Sequence, residues 1–453
     1  MEPSPKSPDC PWWRRHPGWF LLLVLSVVLA SVFARSFVPN YVVFSNDGPL
    51  GAMVGYAQVK WSNFRGFWAD LNSIGSQSVS SNLSVTQVIL LVLDSVSWAK
   101  FFTPLSLLVL GLGAGFFFRR LRLSPVACVL GALAAMLNTG IFSAASWGVA
   151  SQAICVGCAF VALGLLVSEE ERFHWVRVVL AGLAVGMGVM EGYDVGALFS
   201  MCVALFVLVQ PWLTPGSPAR RVALGFSRLL IVICFAVLIG FQTVSSLVGT
   251  QIKGVAGTQQ DTEGKAERWG FATQWSLPKV ETLSFLVPGL FGYRMDTPDG
   301  GNYWGAIGRD AAWDRYFAEG QQGPQPPVWI RQTGGGCYAG VLVVLVAAWA
   351  VAQSFRKEKS AFALAQRRAI WFWLIVGFVS LLLAFGRFAP FYQVIYTLPY
   401  FSTIRNPVKF MYFVQLAIVI LFAYGMHGLS RLYLEAPLSA AGGVMAHLRT
   451  WWG

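Results

Sequence analysis

The sequence predicts an all-α polytopic membrane protein with about ten transmembrane helices and long external loops. Three observations carry that expectation. Of the 453 residues, 56% are hydrophobic and only 12% charged, against about 25% charged in a soluble domain. Apolar runs long enough to cross a bilayer recur along the whole chain. Many of the Lys and Arg residues behind the net charge of +12 lie at the ends of those runs, which argues against a nucleic-acid partner. With 34 Phe and 19 Trp the chain is too aromatic for disorder. One bundle of helices in lipid accounts for residues 1–453 better than a series of soluble domains.

The spans are expected at 18–37, 101–118, 125–143, 151–168, 176–190, 195–211, 223–247, 337–354, 369–386 and 409–428. Lys6, Arg14 and Arg15 precede the first. Alternate connections then carry Arg119, Arg120 and Arg122; Arg172 and Arg177; Arg220, Arg221 and Arg228; and Arg356, Lys357, Lys359, Arg367 and Arg368. Arg431 follows the last span, and the short connections at 144–150 and 190–195 have no Lys or Arg. By the positive-inside rule both termini are then cytoplasmic. The first run ends near Val32-Phe33-Ala34, a possible cleavage site, but its length makes it an anchor rather than a removed signal peptide.

Three segments fall outside: 38–100, 250–336 and 387–408. With the short connections they hold 14 of the 21 acidic residues, so chemistry or binding is expected on that face. The apolar stretch Val85–Asp94 is too short to span. It reads either as an interfacial helix or as a helix in the loop's own core. The 250–336 loop has turn signals at Thr297-Pro298-Asp299-Gly300-Gly301 and Gly323-Pro324-Gln325-Pro326-Pro327, so short helices and irregular chain over the bundle are expected there.

Six residues are candidates for chemistry. Asp47 lies in Phe44-Ser45-Asn46-Asp47-Gly48-Pro49, where Gly and Pro set a turn just beyond the first span. A carboxylate held there, partly shielded from water, can accept a proton from a hydroxyl; the plainer reading is a turn that caps its own backbone. Glu191 and Asp194 sit in a very tight helical connection, Met190-Glu191-Gly192-Tyr193-Asp194. Carboxylates beside spans are costly and often functional, although Asp194 also suits a helix cap. Arg387, Arg405 and Lys409 run against the positive-inside trend and converge on one short external loop. They suit a phosphate headgroup, or else they snorkel to lipid phosphate. Asp47, Glu191 and Arg405 are expected to face one outward cavity.

Other patterns carry less. Gly111-Leu112-Gly113-Ala114-Gly115 has no strand before it and reads as close helix packing. Cys155 and Cys158 form a CxxC inside an apolar run, where packing is the simpler role. Seven scattered Cys, Cys10 among them, make no disulfide framework. The four His have no ligand spacing, no metal site is expected, and neither a P-loop nor a DxD occurs. The absence of a DxD argues mildly against a divalent metal. Asn82-Leu83-Ser84 matches a glycosylation sequon by pattern only.

A basic N-terminus, one span, and an acidic residue in a long first external loop form the layout of GT-C glycosyltransferases. Three stretches resemble the bacterial YfhO-like membrane proteins of that superfamily. They are Phe44–Pro49; Ala272-Thr273-Gln274-Trp275-Ser276-Leu277-Pro278, with Glu281-Thr282, Pro288-Gly289 and Asn302-Tyr303-Trp304-Gly305; and Leu398-Pro399-Tyr400-Phe401-Ser402-Thr403-Ile404-Arg405-Asn406-Pro407-Val408-Lys409-Phe410. The resemblance implies sugar transfer from a polyprenyl-phosphate donor to an acceptor hydroxyl outside a bacterial cytoplasmic membrane. The acceptor would be an envelope polysaccharide, glycolipid or protein. The resemblance makes Asp47 the base and puts Arg405 near the donor phosphate, with no cofactor beyond the lipid-linked sugar. Family members commonly continue past the point where this chain ends, at Trp451-Trp452-Gly453. Two other classes share these features: a flippase or transporter for lipid-linked sugar, and a non-catalytic membrane partner in envelope assembly.

Overall fold

The computed structural model describes residues 16–43, 45, 47–48, 50–59, 68–69, 76–77, 84–167, 173–213, 216–248, 262–292, 303–328, 330, 337–356, 360–398 and 401–435. Lys6, Cys10, Arg14, Arg15, Phe44, Asn46, Pro49, Asn82, Arg172, the 297–301 turn, Asn302, Lys357, Lys359, Pro399, Tyr400 and residues 436–453 lie outside them.

The described chain is almost entirely helical. Its helices are α1 (Pro17–Val32), α2 (Leu50–Val59), α3 (Val85–Val92), α4 (Ser95–Arg120), α5 (Pro125–Met136), α6 (Thr139–Ala144), α7 (Ser151–Val167) and α8 (His174–Gly192). They continue with α9 (Asp194–Leu213), α10 (Pro218–Leu247), α11 (Thr262–Ala272), α12 (Ala311–Ala318), α13 (Val341–Ser354), α14 (Leu364–Ala384), α15 (Phe391–Thr397) and α16 (Met411–Leu429). The strands among the described residues are two-residue pieces, Trp68–Ala69 and Ser76–Gln77, paired antiparallel. Among the described residues six helices are long and apolar enough to cross a membrane: α4, α8, α9, α10, α14 and the segment Pro407–Leu434 that contains α16. The pair α5 and Thr139–Val149, bent by 41°, makes a seventh if counted as one span. The remaining expected spans fall on shorter apolar helices, α1, α7 and α13.

Burial orders these helices around one core. The window containing α16 is 78% buried and that of α10 only 17%, so α16 is the centre and α10 the rim. On α10, Leu230, Leu238 and Phe241 are exposed. Such a row of large apolar side chains is stable only against lipid or another apolar surface. The glycine run 111–115 does what close packing requires. A Cβ at Gly111 would come within 2.9 Å of Leu25 on α1, and one at Gly113 within 2.6 Å of the Gly157 carbonyl on α7. Successive glycines thus seat two different helices.

The two ends of the bundle differ in chemistry. One end is rich in arginine and closely tied. Arg228 donates to Gln210 Oε1 and to His174 Nε2, and Arg367 Nε donates to the Ser354 carbonyl at 2.7 Å. Ser124 N–H donates to His427 Nδ1 at 3.1 Å. The other end gathers the described parts of the long polar segments. The α3 stretch, ambiguous from sequence, is a short helix N-capped by Ser84 and lying against the bundle: Leu90 is buried, while Val88 and Val92 are exposed.

Candidate active site at the loop-bearing end

Asp47 sits on a turn seated against a broken helix. Its N–H donates to the Trp147 carbonyl at 3.0 Å, and Ser45 Oγ donates to the same oxygen at 3.3 Å. Gly48 N–H closes the turn onto Ser45 Oγ at 3.0 Å. Trp147 lies in the π-helical stretch Ala145–Val149, broken by Gly148 at φ 125°. A Cβ at Gly148 would strike Ser45 Oγ, so glycine is required both for the conformation and for the approach of the Asp47 turn. Asp47 is exposed.

Ser45 and Gly48, the described neighbours of Asp47, line a cavity of about 290 Å³. Thr86, Gln87, Ser151 and Tyr193 supply its polar wall, and Trp98 and Phe102 its aromatic one. Those two rings stack at 3.9 Å between centroids. Hydroxyls, an amide and an aromatic face in one hollow suit a polyhydroxylated ligand with apolar ring faces.

Glu191 is buried behind this wall and accepts from Thr86 N–H at 2.8 Å and from Thr86 Oγ1. It therefore fastens α3 to α8 and fixes Thr86 in the cavity wall. Tyr193 alone separates α8 from α9, at φ 46°. Asp194, the first residue of α9, accepts from Val195 N–H at 2.8 Å and pairs with Lys409. The structure thus joins two sequence candidates, Asp194 and Lys409, and sets them next to cavity-lining Tyr193.

The other two cations are placed by a second set of bonds. Leu277 N–H donates to the Ala384 carbonyl at 2.9 Å, Asn406 N–H to Ala272 at 2.8 Å, and Val408 N–H to Trp275 at 2.9 Å. The stretches 272–277 and 406–408 are therefore stitched together. Gly386, at φ 49°, lets Ser276 pack where a Cβ would stand, and Ser276 Oγ accepts from Arg387 N–H at 3.1 Å. The Arg387 guanidinium turns inward to Asp314 and to the Arg309 carbonyl at 2.7 Å, while Arg309 Nε also reaches Asp314 at 2.7 Å. Burial lowers the Arg387 pKa from its ordinary value, and the neighbouring Asp314 offsets only part of that. Arg405 is exposed, its guanidinium 5.4 Å from the centre of the Phe271 ring, and no carboxylate pairs with it among the described residues. Of the three cations it is the one open to a phosphate. It does not line the cavity beside Asp47, and Glu191 is bonded away behind that cavity's wall.

Several organising residues escaped sequence reasoning. Lys100 is buried and donates to the Val38 and Pro39 carbonyls at 2.7 and 3.1 Å, holding the start of the first loop. A lone lysine in an apolar run was its available signal. Glu281 is buried and accepts from Tyr303 Oη and Ala306 N–H, each at 2.6 Å; nothing local marked the pairing. No group of three or more His, Cys, Asp or Glu arranged to hold a metal occurs among the described residues. Comparison with protein-family models, with curated proteins and with solved structures finds no match.

Proposed function

We propose that this chain is a membrane-embedded glycosyltransferase that moves a sugar from a polyprenyl-phosphate donor to an acceptor hydroxyl at the loop-bearing end of the bundle. The observation that carries the reading is the Asp47 turn, clamped to Trp147 at the rim of a cavity with hydroxyl, amide and aromatic walls. The resemblance of residues 44–49, 272–305 and 398–410 to YfhO-like GT-C proteins supports it. The acceptor hydroxyl loses its proton to the Asp47 carboxylate as its oxygen attacks the anomeric carbon. The bond from that carbon to the phosphate oxygen breaks, and its electron pair leaves on the polyprenyl phosphate. By the resemblance, Arg405, exposed and outside the described lining of that cavity, is the cation that meets the phosphate charge. Glu191 acts as a positioning residue through Thr86, and Asp194 does so through Lys409.

The same reading counts the six long helices, the bent pair and the three shorter apolar helices as ten spans. The arginine-rich end faces the cytoplasm of a bacterial cell, by the positive-inside rule. The loop-bearing end then faces outward, where acceptors are envelope polysaccharides, glycolipids or proteins.

The test is release of polyprenyl phosphate from a labelled polyprenyl-phosphate sugar by purified protein in lipid nanodiscs, with and without a hydroxylated acceptor. Acceptor-dependent release is expected, and Arg405→Ala should weaken donor use without lowering the melting temperature. Movement of intact donor across a vesicle membrane, without cleavage, would replace the enzyme by a flippase. Neither activity would leave a non-catalytic partner.

A further inference from the structure

A second cavity, of about 340 Å³, opens at the arginine-rich end, far in the fold from the Asp47 turn. Arg119, Arg120 and Arg122 line it together with Gln210 and Gln366, and no carboxylate is among its described lining residues. The remaining wall is apolar and aromatic, with Phe206, Leu213, Trp373 and Tyr424. Among the described residues no Asp or Glu forms a salt bridge with any of the three arginines. Arg387 at the opposite end, by contrast, is paired with Asp314. Arg120 Nε is buried without a hydrogen-bond partner. Gln210 is itself held by Arg228, which adds a further cation behind the wall.

The backbone here is arranged at a cost. Helix α4 ends in a Schellman turn, with Leu123 N–H bonded to the Phe118 carbonyl at 3.2 Å and Arg122 N–H to Arg119 at 3.0 Å. The left-handed position of such a turn usually belongs to glycine. Here it is Arg122, at φ 56°. Carbonyls at a helix C-terminus carry about half a negative charge, too little to answer three guanidinium groups. We propose that this cavity binds the phosphate group of an anionic phospholipid, with the arginines on the phosphate and the Phe206–Trp373 wall against an acyl chain. Basic pockets between membrane helices bind such headgroups by the same physics. The apolar wall at membrane level selects a lipid phosphate over a soluble one. This inference does not depend on the sugar-transfer reading.

The experiment uses full-length protein in neutral detergent, incubated with phosphatidylglycerol, phosphatidylcholine or inorganic phosphate. Native mass spectrometry reads bound lipid, and thermal unfolding reads stabilisation. Phosphatidylglycerol should stay bound and raise the melting temperature; phosphatidylcholine and inorganic phosphate should do neither. Arg122→Gly relieves the left-handed strain, so the lipid-free protein should melt no lower than wild type. Its affinity for phosphatidylglycerol should still fall about fivefold, the effect of one basic residue at a membrane surface. Arg120→Gln should weaken binding to a similar degree. Wild-type affinity in both variants would overturn the site. Equal retention of phosphatidylcholine, or equal stabilisation by inorganic phosphate, would overturn its assignment to an anionic lipid.

Discussion

Glu191 separates a positioning role from a catalytic one, and its bonds give the size of the effect. The carboxylate accepts from both the N–H and the hydroxyl of Thr86. Glu191→Ala leaves both Thr86 donors without their partner, besides the bonds from the Ser84 side chain and the Val85 backbone, and each such donor costs about 1–3 kcal/mol when buried. Thr86 is half-buried, so water recovers part of the loss and the lower half of the range applies, about 2–4 kcal/mol for the Thr86 pair. Thr86→Val removes one donor and should cost about 1 kcal/mol. In the double variant the second change has little left to remove, so the coupling energy should approach 1 kcal/mol. Thermal or denaturant unfolding, followed with a thiol-reactive dye, suits this measurement because Cys128, Cys155 and Cys202 are free and buried in the fold. Glu191→Gln keeps an acceptor for Thr86 and should retain most of the stability and most of the turnover. Additivity of the two single changes within about 0.5 kcal/mol would refute the clamp. Loss of turnover in a stable Glu191→Gln protein would make the carboxylate catalytic.

Further outcomes follow from the same geometry. Gly386→Ala puts a Cβ onto Ser276 and Pro407 at φ 49°, and should destabilise by more than about 1 kcal/mol, as read by the melting temperature. Asp194→Asn removes the partner of Lys409, but the Asp194 side chain is 44% exposed, so the melting shift should correspond to less than about 1 kcal/mol. Bonds from Ser97 hold the Asp94 carboxyl below its ordinary 3.8. A lowered folded-state pKa gives stability that is present above the unfolded value and lost as pH falls through the folded one. The cap on α4 should therefore persist from neutral pH down to about 4 and weaken below it, and Asp94→Asn should flatten that acid limb in a pH series of melting curves.

The helices were legible because membrane helices advertise themselves by length and hydropathy. The expected apolar runs fall on described helices, the run at 125–143 on two, and among the described residues only six helices reach the length and hydropathy of a span on their own. The run at 101–118 begins earlier, at Ser95, because Asp94 caps it with bonds to Val96 and Ser97 that hydropathy does not register. The run at 125–143 is broken at Asn138, which caps the next helix by accepting from Gly140 N–H at 3.2 Å. Charge alone also grouped Arg387, Arg405 and Lys409 as one cluster. Two of them are answered by carboxylates distant in sequence, Asp314 and Asp194. Pairings of that kind depend on how loops fold over the bundle, and no local spacing encodes them. The Asp47 turn was visible through Gly48, but its seat on Trp147 depends on Gly148 about a hundred residues away.

The central claim, that Asp47 takes the acceptor's proton, is tested most directly by the Asp47→Asn rate. The amide preserves size and hydrogen bonding, and the turn is held by backbone bonds to Trp147 and Ser45 that the change leaves in place. Folding and donor binding should stay close to wild type. Single-turnover transfer from a labelled polyprenyl-phosphate sugar should slow by about 10²–10⁴-fold, the usual contribution of a general base. Transfer by Asp47→Asn at the wild-type rate, in protein that melts as wild type does, would contradict the account and leave Asp47 a turn residue.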